Sequence, residues 1–219
     1  MVLWLILAII FASLEVLAVS KNVQRLEYVA KPAVMLCLFL WLFADTGLQG
    51  HAFWFGMGIL FSLAGDVLLT FERMFLPGLV AFLLAHLAYI VGFREEILTL
   101  TAWSLILALF IAVNIGRLLG RIVETMRSKG ENKLVFPVLV YGIMISVMLY
   151  AAMSTISNSA WKNSAALFIS VGAFFFCVSD AILAWNKFVA PVRNGRVWNI
   201  VLYYLGQIGL IAGVIAQFG

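Results

Sequence analysis

Apolar residues run almost unbroken through eight stretches of the chain, roughly residues 2–19, 29–44, 53–70, 75–93, 97–115, 134–153, 165–185 and 197–218, and nearly all charge lies between them. Most of these runs approach the ~20 residues that cross ~30 Å of hydrocarbon at ~1.5 Å per residue. The pattern predicts an all-α membrane protein of eight transmembrane helices in a single polytopic domain covering residues 1–219. The second run is short, so Lys31 is expected to snorkel to the interface or the bilayer to thin locally. A β-barrel is excluded, because its strands would alternate apolar and polar positions.

One polar interruption occurs twice. The third run reads Gly58-Ile-Leu-Phe-Ser-Leu-Ala-Gly-Asp66-Val-Leu-Leu69 and the seventh reads Gly172-Ala-Phe-Phe-Phe-Cys-Val-Ser-Asp180-Ala-Ile-Leu183. Laid together, Gly58 falls on Gly172, Phe61 on Phe175, Gly65 on Ser179 and Asp66 on Asp180. This duplication predicts two parallel four-helix repeats, with halves of about residues 1–115 and 116–219, related by an axis along the membrane normal. A carboxylate in such surroundings is costly, which makes both aspartates functional candidates. The structural alternative is that each is paired with Lys31, Lys187 or a tyrosine hydroxyl to fix helix packing.

Composition and charge refine this picture. At 65% hydrophobic and 11% charged residues the chain is not a water-soluble globule. The opening run lacks a basic cluster and a small-residue cleavage pattern, and reads as a retained span. Of the 14 basic residues, twelve fall in the odd-numbered connections: Lys21, Arg25 and Lys31; Arg73; Arg117, Arg121, Arg127, Lys129 and Lys133; and Lys187, Arg193 and Arg196. Only Arg94 and Lys162 fall in the others. This asymmetry predicts cytoplasmic odd connections with both termini outside. The net charge of +4 is thus a topology signature, and basic residues spread over four short connections do not suit nucleic acid. Cys37 and Cys177 lie in apolar runs, where cysteine acts as a small hydrophobe.

Orientation sets depth. Asp66 lies six residues before the charged Glu72-Arg73 turn and Asp180 seven before Lys187, which puts both about 10 Å inside the cytoplasmic boundary. Glu15, Lys31, Asn114, Tyr141, Asn199 and Tyr203 approach that level from other spans, while His86, Tyr89 and Gln207 are nearer mid-membrane. A wet, polar pocket in the cytoplasmic half is expected. Asn114, Tyr141, Tyr203 and Gln207 also suit interhelical hydrogen bonding, and Lys31 before Pro32 also suits an interfacial anchor beside a helix-starting proline.

The chain has no Gly-x-Ser-x-Gly elbow, phosphate-binding loop or His-Glu-x-x-His helix, and its two histidines exclude a multi-histidine metal site. No metal or cofactor is expected. What is left is carboxylate acid/base chemistry at a depth lipid head groups reach, with one aspartate as acid and the other as anion.

Lys31-Pro32 at the opening of the second helix, Gly65-Asp66-x-Leu-Leu, Ala85-His86-x-x-Tyr89 and Ser179-Asp180-x-Ile-Leu-Ala together resemble the YhhN-like lysoplasmalogenase family. The resemblance spans nearly the whole chain. It implies hydrolysis of the vinyl ether bond of lysoplasmalogen, a lysophospholipid, to a fatty aldehyde and glycerophosphoethanolamine or glycerophosphocholine. Asp66 and Asp180 would then be catalytic, with Lys31, His86, Tyr89, Tyr141, Glu15, Asn114 and Tyr203 binding substrate or supporting. The competing reading is a proton-coupled transporter or a non-catalytic lipid-binding membrane protein using the same acids.

Overall fold

The computed structural model describes residues 2–93 and 101–219. Eight α-helices follow in order: α1 Val2–Ser20, α2 Gln24–Thr46, α3 His51–Leu69, α4 Phe75–Gly92, α5 Ala102–Ser128, α6 Asn132–Ser154, α7 Asn163–Phe188 and α8 Gly195–Phe218. All eight are long and apolar enough to cross a membrane, and the described residues contain no strand. The protein is an integral, multi-pass membrane protein.

Two helices extend beyond their apolar runs. The second begins at Gln24 and has 23 residues, so it needs no thinned bilayer, and Lys31-Pro32 lies inside it and does not open it. Pro32 removes one backbone donor there, on the carbonyl of Tyr28, whose side chain is exposed. The fifth helix has 27 residues, about 40 Å at ~1.5 Å per residue. Arg117, Arg121 and Arg127 therefore lie on its last turns and not in a long connection, which shrinks to a few residues before α6. A helix is free to continue into the interface once its backbone is paired, so apolar runs mark hydrocarbon and not helix ends. Residue 115 falls in the middle of α5. Arg94, counted with the minority of basic residues, lies outside the described residues.

The helices pack as the hairpins α1–α2, α3–α4, α5–α6 and α7–α8, and α2 also packs on α3, α6 on α7, α4 on α6, and α1 and α2 on α8. The tightest pair is α7 with α8. A Cβ built at Gly172 would lie 2.6 Å from the backbone nitrogen of Leu210, and at Gly206 2.8 Å from that of Phe176. Small residues let two backbones touch where lipid offers no hydrophobic drive to association. The contact fixes the register between Asp180 on α7 and Tyr203 on α8. α5 stands at the periphery against α6 and α7. Its end is held by Ile122, Val123 and Met126 packed with Val135, Val138 and Phe188, and by Lys129 Nζ donating to the Phe188 and Val189 carbonyls at 2.9 and 3.2 Å.

Gly172→Ala is expected to push α7 from α8 and lower stability by about 1–3 kcal/mol, the usual cost of overpacking. Thermal unfolding of the purified protein in detergent measures it, and the exposed Gly116→Ala, whose Cβ would meet nothing within 4 Å, is the control that should hold or rise slightly.

Candidate functional site

The last turn of α3 carries Asp66 into the bundle beside Gly65, where a Cβ would come within 2.5 Å of the Phe82 ring. The glycine lets α4 close over the acid, and Asp66 is 2% exposed. Its Oδ1 lies 3.1 Å from Lys31 Nζ on α2. Its Oδ2 accepts a 2.7 Å hydrogen bond from the Tyr203 hydroxyl on α8. A buried carboxylate needs such partners, since an unpaired one would be prohibitively costly.

Asp180 on α7 is met differently. The Tyr141 hydroxyl from α6 donates to its Oδ2, and His86 Nε2 from α4 lies 3.5 Å from the same oxygen. Tyr141 and His86 are themselves 3.0 Å apart, while His86 Nδ1 is buried with no partner among the described residues. A phenol has one proton to give. With that proton on Asp180, Tyr141 accepts from His86 Nε2–H, and the unmatched Nδ1 is a bare lone pair, a lesser penalty than a buried orphan N–H. The chain of donors is His86 to Tyr141 to Asp180. Lys187, the cation nearest Asp180 in sequence, instead sits 4.1 Å over the Phe75 ring.

Phe82 and Phe176 wedge between the two sets of partners, with Phe176 edge-on to both His86 and Tyr203 at centroid distances of 4.9 and 5.3 Å. Beside Asp180, Ser179 and Asn199 exchange reciprocal bonds: Ser179 Oγ donates to the Asn199 carbonyl at 2.8 Å, and Asn199 Nδ2 donates to the Ser179 carbonyl at 2.9 Å. Asp66 and Asp180 line one cavity of about 260 Å³ together with Glu15, Lys31, Asn199 and Tyr203, with room for several waters. Its rim carries Glu27 and Arg196, whose side chains pair at 2.9 Å. The cavity lies at the end of the bundle that holds the odd-numbered connections. Among the described residues no three His, Cys, Asp or Glu side chains are grouped to hold a metal ion.

The sequence model of the YhhN family matches residues 26–214, a range that includes both aspartates and all their partners. The chain belongs to the YhhN family. Among the similar proteins, lysoplasmalogenase TMEM86B of mouse is 29% identical over 196 residues, covering 86% of this chain and 74% of its own. Human lysoplasmalogenase TMEM86B is 28% identical, covering 81% and 69%, and human lysoplasmalogenase TMEM86A is 28% identical, covering 86% and 78%. No solved structure matches the chain.

In this YhhN-family protein the candidate residues separate into three groups. Asp66, Asp180, Glu15, Lys31 and Tyr203 line the cavity, and Tyr141 and His86 reach it through Asp180. Glu15 is 1% exposed and accepts from the Tyr204 hydroxyl, tying α1 to α8. Tyr89 is placed elsewhere: its hydroxyl donates to Gln207 Oε1 at 2.8 Å, and Gln207 donates to Ser62 at 3.1 Å, in a buried link among α4, α8 and α3. Asn114 faces outward, its amide donating to the Phe110 carbonyl within α5. The rim pair Glu27–Arg196 was not among the candidates. Glu27 stands four residues before Lys31, one helical turn, and that spacing is a signal once Gln24 is recognised as helical.

Lys31→Met is expected to leave Asp66 without its counter-charge and cost up to about 3 kcal/mol of stability. Lys31→Met with Asp66→Leu should recover most of it, as read by thermal unfolding in detergent; equal melting of single and double variants would deny the ion pair a structural share.

Proposed function

We propose that this protein is a lysoplasmalogen hydrolase in which Asp180 is the proton donor and Asp66 the stabilising anion. The observation that carries the reading is one cavity, roomy enough for several waters, lined by two carboxylates with chemically different partners, a cation and a phenol for Asp66, a phenol and an imidazole for Asp180. A purely structural pair explains the partners but not the cavity. Similarity to proteins named lysoplasmalogenase supplies the substrate class.

Vinyl ether hydrolysis starts with a proton added to the alkene carbon remote from oxygen, which leaves an oxocarbenium ion. Asp180 gives that proton from the carboxyl oxygen not engaged by Tyr141. Asp66 faces the cation and takes a proton from the water that captures it, giving a hemiacetal. In the collapse Asp66 returns its proton to the glycerol oxygen as the carbon–oxygen bond breaks, and Asp180 takes the proton of the hemiacetal hydroxyl as the aldehyde forms. Both acids end as they began, and the sum is vinyl ether plus water to aldehyde plus alcohol. Paired carboxylates divide labour in the same way at glycosidic bonds. Lys31 and Arg196 at the mouth offer positive charge to the phosphate of the head group.

We also read the chain as two related four-helix halves. The support is that α4 packs on α6 as α8 does on α2, and that Asp66 is met from α2 and α8 where Asp180 is met from α6 and α4. With the basic residues inside, both termini are outside and the cavity opens toward the cytoplasm.

Mass spectrometry of products from purified protein tests the reaction: fatty aldehyde from lysoplasmalogen and none from the matching ester lysophospholipid is expected. Aldehyde from neither, with solute flux in proteoliposomes, would favour a carrier. Asp66→Asn and Asp180→Asn should each cut turnover by about 10²–10⁴-fold while folding persists, and the double variant should be scarcely slower than the worse single one. Near-normal turnover by either folded variant overturns the assignment. For orientation, a cysteine placed at Arg127 should resist an impermeant thiol reagent in intact cells and one at Asn158 should react, over little background from the buried Cys37 and Cys177.

A further inference from the structure

A second chamber adjoins the polar cavity and is almost wholly apolar. It lies among α4, α5, α6 and α7, and its walls include Leu79, Ile115, Leu119, Val138 and Ile145. Leu69, Phe82, Asp180 and Leu183 line both spaces, so Asp180 stands on the boundary between them. The chamber is narrow, with about 60 Å³ free. Ile115 and Leu119 in turn form part of a third, wider space of about 430 Å³, a groove on the outer surface between α5 and α6 that also includes Ala112, Gly116 and Tyr150. At the neck Leu119 rests on Gly142, where a Cβ would come within 2.5 Å of its Cδ2. Neighbouring spaces thus share walls in the order polar cavity, small apolar chamber and outer groove.

We infer that this series is the binding path of a single-chain lipid, its head in the polar cavity, its reacting bond beside Asp180, and its hydrocarbon chain threaded between α5 and α6 into the bilayer. The inference rests on the reaction proposed above for the position of the bond, while the path itself is drawn from the residues that adjacent spaces share, with Leu119 the side chain that swings to join the last two. An amphiphile binds where polar and apolar surfaces meet, and the shared wall at Asp180 is such a meeting line. The narrowness of the passage suits one chain and not two. Because the groove is open to lipid, the chain need not end inside the protein. Long chains of different lengths are then accepted alike, and the aldehyde product leaves sideways into the membrane while the water-soluble head leaves by the polar mouth.

Gly116 provides a test that spares the cavity, since a Cβ there meets nothing within 4 Å. Gly116→Trp fills the groove beyond the neck. Two readouts are made on the full chain in nanodiscs. In the first, an ester lysophosphatidylethanolamine with a diazirine at the end of its chain is photolysed and the labelled peptides are mapped. Label on α5 and α6 in the wild type, lost in Gly116→Trp, is expected. Label spread over α1 and α2, or unchanged in the variant, overturns the path. In the second, aldehyde release is compared for long-chain and eight-carbon lysoplasmalogens. The variant should lose about tenfold or more in kcat/KM on the long substrate, the scale of a misfit in an apolar pocket, and little on the short one. Equal loss on both, or none, also overturns it. Labelling as expected without aldehyde from the wild type would uphold the path and reject the vinyl ether reaction, so the two failures are distinct.

Discussion

Two carboxylates can remain in so apolar a bundle only because each is met by polar side chains from two helices other than its own, and the rest of the structure is arranged to bring those partners in. Lys31 and Tyr203 reach Asp66 from α2 and α8, while Tyr141 and His86 reach Asp180 from α6 and α4. Six helices are thereby tied to two acids. Glu15 adds α1 through Tyr204, and only α5 takes no part. Removing a donor leaves a buried charge or an empty hydrogen-bond position, each costly away from water. Folding and site assembly are therefore the same event for most of the chain.

The partner sets agree in geometry and differ in chemistry. At matching positions the first acid has an ammonium where the second has a phenol, and a phenol where the second has an imidazole. On the proposed reading, two related halves supply two carboxylates, and the difference between their neighbours is what would give them different tasks. Phe82 and Phe176, standing edge-on between the two sets, keep the tyrosines and the histidine from exchanging partners.

Much of this was legible in the sequence because membrane solvation writes a strong signal. Eight apolar runs announce eight spans, and the acids stand out since nothing else in their surroundings is charged. The helix ends were not legible at Gln24 or beyond Arg117, because a helix entering the head-group region becomes polar without stopping. Tyr89 and Tyr141 look alike in sequence, each within a span, yet one serves Gln207 and the other Asp180. That choice depends on helix rotation, which is fixed by contacts far apart along the chain. Asn114 was misleading for the same reason, its turn of α5 facing outward. The apolar chamber left no trace at all, since leucine and isoleucine lining a passage read the same as leucine and isoleucine filling a core.

The half of the bundle remote from the acids is packed with aromatic rings among the described residues. Phe55 is fully buried and packs with Tyr89 and Phe93, Phe93 meets Trp161, Trp161 meets Phe218, and α7 and α8 touch backbone to backbone through Gly172, Gly206 and Gly209. Ring centroids along this series stand 5.1 to 6.4 Å apart. The two ends of the bundle thus divide its work: at one, a polar space surrounds the acids, and at the other, interlocked rings and touching backbones hold together the helices that carry them.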